Sequence, residues 1–220
     1  MHRIIVSTVS LWASALGAET FVCDNNIVKV ETASPDLAQT VCTHTDTALA
    51  QFRSCNLPDP FPLGIEAVNS LENNCLGLFH CGENRIEVLA PDAMTALRLK
   101  QSLFNAIPTD RLFASVILHE MAHALYDQTP CPFDDCVATS EYFAYTQQLS
   151  GLLPQDLATI ENQIDPEHEV SRDSINAMIL LMAPDRFTLN AWEHFSQLED
   201  SCSYWRGILH GQIVFDRVHP

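Results

Sequence analysis

"SVILHEMAHALYDQTPCPFDDCVATSEYFAY", residues 115–145, holds the pattern on which the rest of the chain turns, and its centre is His119-Glu120-Met121-Ala122-His123. On a helix, residues i and i+4 stand on one face, one turn apart, so His119 and His123 can offer their imidazoles to a single zinc ion. Glu120, beside the first of them, can reach a water at an open coordination position and take its proton as it attacks a carbonyl. The neighbours are Val116, Ile117, Leu118, Met121, Ala122, Ala124 and Leu125, so the helix belongs inside the protein. Three ionisable groups in such a run are costly to bury unpaired, and a metal ion removes that cost. The competing reading is an accident of composition on a core helix.

A catalytic zinc site takes three protein ligands and keeps a fourth position open. Beyond His123 the sequence offers Glu141, in "VATSEYFAY" on the next helical segment, and Asp134 and Asp135 in the loop before it. A ligand on a packed helix is held more rigidly than one on a loop, which favours Glu141.

With these residues the chain resembles the zincin metallopeptidases, and among them the gluzincin branch, whose pattern is H-E-x-x-H followed by a glutamate on the next helix. The matching residues are His119, Glu120, His123 and Glu141, and the likeness spans residues 65–152. The resemblance implies a zincin-like fold and one Zn2+ per chain, bound by His119, His123 and Glu141. It also implies Glu120 as general base toward a peptide or protein substrate. "ENRIEVLAP", residues 83–91, looks like the edge strand that lines the cleft in zincins. The glycine and third histidine of the metzincin extension are missing after His123. A second expectation from the same resemblance is a catalytically silent zincin-fold protein that binds partners at the cell envelope or exterior.

Hydropathy patterning predicts an α+β chain. "IVKV", "IEAV", residues 76–79 and the alternating "RIEVL" read as strands. A helix over residues 35–53 starts at Ser34-Pro35, an N-cap followed by a proline in the first turn. Further helices are expected over residues 92–104, from Pro108-Thr109-Asp110 through Leu125, and over 137–152, with helices only thereafter. Strands gather toward the front, so the expected architecture is a small mixed sheet, then the motif helix, then a mainly helical C-terminal lobe. The expected division is a signal peptide over residues 1–18 and one domain over 19–220. Its N-terminal lobe would run to residue 128 and the helical lobe from 129 onward.

Export is the reading of the start and of the cysteines. Met1-His2-Arg3 is a short basic beginning, residues 4–16 are apolar or small, and small residues cluster before Glu19. No membrane anchor is expected, because that run is short of the roughly 20 residues that span a bilayer. Eight cysteines follow, an even number suited to disulfides in an oxidising compartment. Short loops favour Cys75–Cys81 and Cys131–Cys136, leaving Cys23, Cys42, Cys55 and Cys202 to pair among themselves. The net charge of −17, from 11 Lys+Arg against 28 Asp+Glu, argues against nucleic acid and anionic lipid as partners.

Stabilisation of a tetrahedral intermediate needs a further donor. Tyr142, Tyr145, His194, Tyr204 and His210 have suitable side chains, though packing explains such residues as readily. Ser115 and Ser140 lack the G-x-S-x-G elbow, and no glycine-rich phosphate loop is present.

Overall fold

The computed structural model describes residues 18–98, 103–164 and 170–216. The expected signal peptide falls outside them except for Ala18. So does part of the helix expected over 92–104. In chain order the elements are β1 (Glu19–Val22), β2 (Val28–Thr32), α1 (Pro35–Ser54), β3 (Leu63–Val68), β4 (Gly77–His80), β5 (Arg85–Leu89) and α2 (Pro91–Arg98). They continue with α3 (Thr109–Tyr126), α4 (Val137–Ser150), α5 (Pro154–Glu161), α6 (Ala177–Met182), α7 (Pro184–Ser196) and α8 (Ser201–Leu209). The α+β expectation holds: the strands precede α3, and helices follow it.

The five strands form one mixed sheet in the order β1-β2-β3-β5-β4. β2, β3 and β5 run parallel, whereas β1 and β4 are antiparallel to their neighbours and form the two edges. β2 alternates strictly, burying Val28, Val30 and Thr32, and β5 buries Ile86 and Val88 on the same period. β1 has no buried residue, so it carries no alternation that a sequence reading could detect. β5 also corrects the edge-strand expectation. The turn after His80 folds β4 back on β5, and β5 pairs with β3 on its other side, so "ENRIEVLAP" lies inside the sheet and β4 is the edge.

The core lies between this sheet and the helices. Ser34 caps α1 by accepting from the Leu37 amide, and α1 buries Ala38, Val41, Ala48, Leu49 and Phe52 at helical spacing. α3 is enclosed on nearly every face, by α1, α2, α4, β4 and β5. Its Leu112, Ile117, Met121 and Ala122 are fully buried. Each Leu, Ile or Met side chain buried this way contributes roughly 1.5–3 kcal/mol. A helix so enclosed makes a rigid platform.

Three disulfides close: Cys23–Cys42, Cys55–Cys202 and Cys131–Cys136. Such bonds fit an oxidising compartment. Among the described residues no helix is long and apolar enough to cross a membrane. Cys75 and Cys81 are free thiols, which corrects the pairing expected for them. β4 lies between the two, and four strand residues alone extend about 10 Å. A disulfide spans at most about 7 Å between Cα atoms.

Candidate metal centre

α3 and α4 pack side by side and bring three donors together. His119, His123 and Glu141 each present one ligand atom, all within 4.8 Å of one another. The two histidine Nε2 atoms are 3.0 Å apart, and each lies 3.6 Å from a Glu141 carboxylate oxygen. Side-chain exposure rises from 11% at His119 and 14% at His123 to 24% at Glu141, so the group opens toward solvent on the α4 side. Asp134 and Asp135, the alternative ligands, are exposed in the loop closed by Cys131–Cys136 and take no part in the group.

The far nitrogens of both rings are held. His119 Nδ1 meets Gln148 Oε1 at 3.0 Å, and His123 Nδ1 meets Ser140 Oγ at 2.8 Å. A relay sets the polarity at His119. The Ser115 hydroxyl donates to the Leu112 carbonyl and accepts from Gln148 Nε2, so Gln148 turns its oxygen to the ring. Nδ1 therefore carries the proton, and the Nε2 lone pair points at the cluster. This is how metal-binding histidines are oriented by their outer partners.

Electrostatics give the same picture. Two Nε2 lone pairs 3.0 Å apart repel unless a cation lies between them. Burial alone would lower His119, but the hydrogen bond to Glu141 and the charges of Glu120 and Glu141 outweigh it and raise its pKa. Burial pushes His123 down to about 4, despite the charge of Glu141. Glu141 ends below the usual carboxylate range, because the two histidines outweigh its burial.

The donor set could hold a metal ion: two imidazole nitrogens stand 3.0 Å apart, and the two Glu141 oxygens each lie 3.6 Å from one of them.

Glu120 points from the same turn toward the sheet. Its carboxylate accepts from the Phe79 amide of β4, and Gly77 lies directly against it. A Cβ at Gly77 would stand 2.7 Å from both Cγ and Oε1 of Glu120. Burial, reinforced by the charge of Glu141 and opposed by His119, pushes the Glu120 carboxyl up to about 7. The half-buried Cys75 thiol is also pushed up, first by burial and then by Glu120 and Glu141.

Of the five candidate intermediate-stabilising residues, Tyr145 alone touches a member of the group. Its ring packs edge-on against His119 at 4.6 Å. Tyr142 is bonded to His194 and surrounded by Phe195, Tyr204 and Phe215 in a separate aromatic cluster. His210 is exposed beyond the end of α8. Sequence reasoning missed Ser140, Gln148 and Gly77. One signal was available for Gln148, which stands two helical turns after Glu141 and so shares its face.

Residues 28–218 match the family model described as Family of unknown function (DUF6639), and the chain belongs to that family. No curated protein and no solved structure matches it.

Proposed function

We propose that this member of the DUF6639 family is an exported zinc-dependent peptidase of gluzincin type. The observation that carries the reading is the convergence of the two histidine Nε2 atoms on the Glu141 carboxylate, with both Nδ1 atoms engaged by Gln148 and Ser140. His119, His123 and Glu141 would hold the ion. Bound there, zinc would supply Lewis acidity to a carbonyl and lower the pKa of the attacking water.

The chain's own residues do the rest. Glu120 takes the proton from the attacking water and returns it to the leaving amine. Burial raises its carboxyl, and the charge of a bound ion would lower it again, which keeps it ionised as a general base must be. The Phe79 amide and the close approach of Gly77 fix its position. β4 pairs with β5 on one side only, so its other edge lies beside Glu120 with backbone groups able to align an extended peptide.

The test begins with protein exported to an oxidising compartment and purified without chelator or histidine tag. Elemental mass spectrometry is expected to find about one zinc per chain. A peptide library should then be cleaved in a chelator-sensitive way. Glu120→Gln should keep the zinc and lose hydrolysis; full activity in that variant overturns the mechanism.

A further inference from the structure

α4 carries the third ligand but does not cap itself. Its N-cap, Cys136, makes no side-chain hydrogen bond to the free amides of the first turn. Asp134 and Asp135 stand just before it, yet both are exposed and neither caps the helix. The cap comes from far along the sequence. Asp216 Oδ1 accepts from the Ala138 amide at 2.8 Å, and Oδ2 accepts from the Thr139 amide at 2.9 Å and the Thr139 hydroxyl at 2.6 Å.

The segment that delivers Asp216 is itself anchored to the same turn. The Phe215 amide donates to Thr139 Oγ1 at 2.8 Å, and the Phe215 ring stacks on Tyr142 at 4.2 Å. Arg172 holds the segment from the other side: it donates to the Val214 carbonyl at 2.9 Å and lies 5.0 Å over the Phe215 ring. Residues 214–216 thus form a strap across the start of α4. Ser140, the partner of His123 Nδ1, and Glu141 directly follow the two strapped residues.

We propose that Asp216 is a positioning residue for the metal centre, holding the first turn of α4 so that Glu141 and Ser140 meet the two histidines of α3. The proposal rests on reading His119, His123 and Glu141 as a metal site. Helix ends fray when their amides lack partners. Fraying here moves a ligand and an outer partner together, so the ion loses two of its supports at once. A carboxylate is the suitable cap, since it fills two amides at the positive end of the helix. The Cys131–Cys136 disulfide restrains the loop entering α4, and the strap supplies the second restraint.

The experiment measures the zinc dissociation constant by competition with a chromophoric chelator, and hydrogen exchange at residues 138–141 without metal. The proteins are wild type, Asp216→Asn, Asp216→Ala, Thr139→Val and Thr139→Ser. Both Asp216 variants and Thr139→Val should bind zinc about tenfold or more weakly, the range seen when outer partners of a ligand are lost. They should also exchange faster at the start of α4. Thr139→Ser, which keeps the hydroxyl, should stay near wild type. Ile65→Val, a core change distant in sequence, should lower the melting temperature without moving the dissociation constant. Wild-type affinity in both Asp216 variants overturns the proposal, as does an equal loss in Ile65→Val. Wild-type protein that takes up no zinc overturns the metal reading itself, and that outcome is seen before any variant is compared.

Discussion

Gly77→Ala tests the contact on which the proposed chemistry depends. The new Cβ would stand 2.7 Å from Cγ and Oε1 of Glu120 and 2.8 Å from Val116 Cγ1, against an ordinary contact of 3.4–4 Å. Glu120 must retreat by at least about 0.7 Å or β4 must lift by as much, and a misplacement near 1 Å costs about 10²-fold in rate. Turnover should therefore fall by about 10- to 100-fold, or about 1.4–2.7 kcal/mol of barrier. Folding should survive, because Gly77 is not among the left-handed glycines and its backbone accepts alanine. Overpacking costs about 1–3 kcal/mol, offset in part by the lost flexibility of glycine in the unfolded chain. The three atoms nearest the new methyl belong to Glu120 and Val116 and not to His119, His123 or Glu141, so zinc content should not change. The assay is initial-rate cleavage of a fluorogenic peptide selected from the library, at equal zinc content. Turnover within twofold of wild type would refute the reasoning. Loss of zinc together with turnover would refute it too, by placing the damage at the ligands.

Other expectations follow from the same geometry. Gln148→Leu removes the acceptor at His119 Nδ1 and should weaken zinc binding about 10- to 100-fold with little change in secondary structure; chelator competition and circular dichroism check both parts. Alkylation under denaturing, non-reducing conditions should label Cys75 and Cys81 alone, and labelling of any other cysteine in place of these contradicts the disulfide pattern. Opening Cys55–Cys202 should cost more stability than opening Cys131–Cys136, since they bridge separations of 147 and 5 residues. Loop-closure entropy puts the difference at about 3 kcal/mol, and urea unfolding of the two double-alanine variants measures it. Equal losses would show that native-state contacts, not chain entropy, set the contribution of these bonds.

The α+β order was legible in the sequence because the local signals were strong. Ser34-Pro35 marked the start of α1, and the alternation in "RIEVL" marked β5. The HEMAH spacing placed both histidines on one face of α3 before any tertiary contact was considered. Which acid joined them was a different kind of question. Asp134, Asp135 and Glu141 are chemically alike, and the choice depends on which of them stands across from α3 once the helices pack. The disulfide-closed loop turns the two aspartates outward, and α4 brings Glu141 in.

What remained hidden lies in contacts between segments far apart in the chain. The position of β4 at the edge follows from how β5 pairs with β3, not from the composition of either strand. The same placement separates Cys75 from Cys81, whose short loop had suggested a bond. Gly77 reads as an ordinary strand glycine until Glu120 is set against it. Asp216 reads as one acid among many until it is found capping a helix 77 residues earlier. Periodicity and the Ser34 cap of α1 are properties of neighbours in sequence, so the chain alone determined the main elements and the face that bears the two histidines. The sequence favoured Glu141 as third donor, but the partners of the ring nitrogens and the cap of α4 are properties of neighbours in space, and only packing decided them.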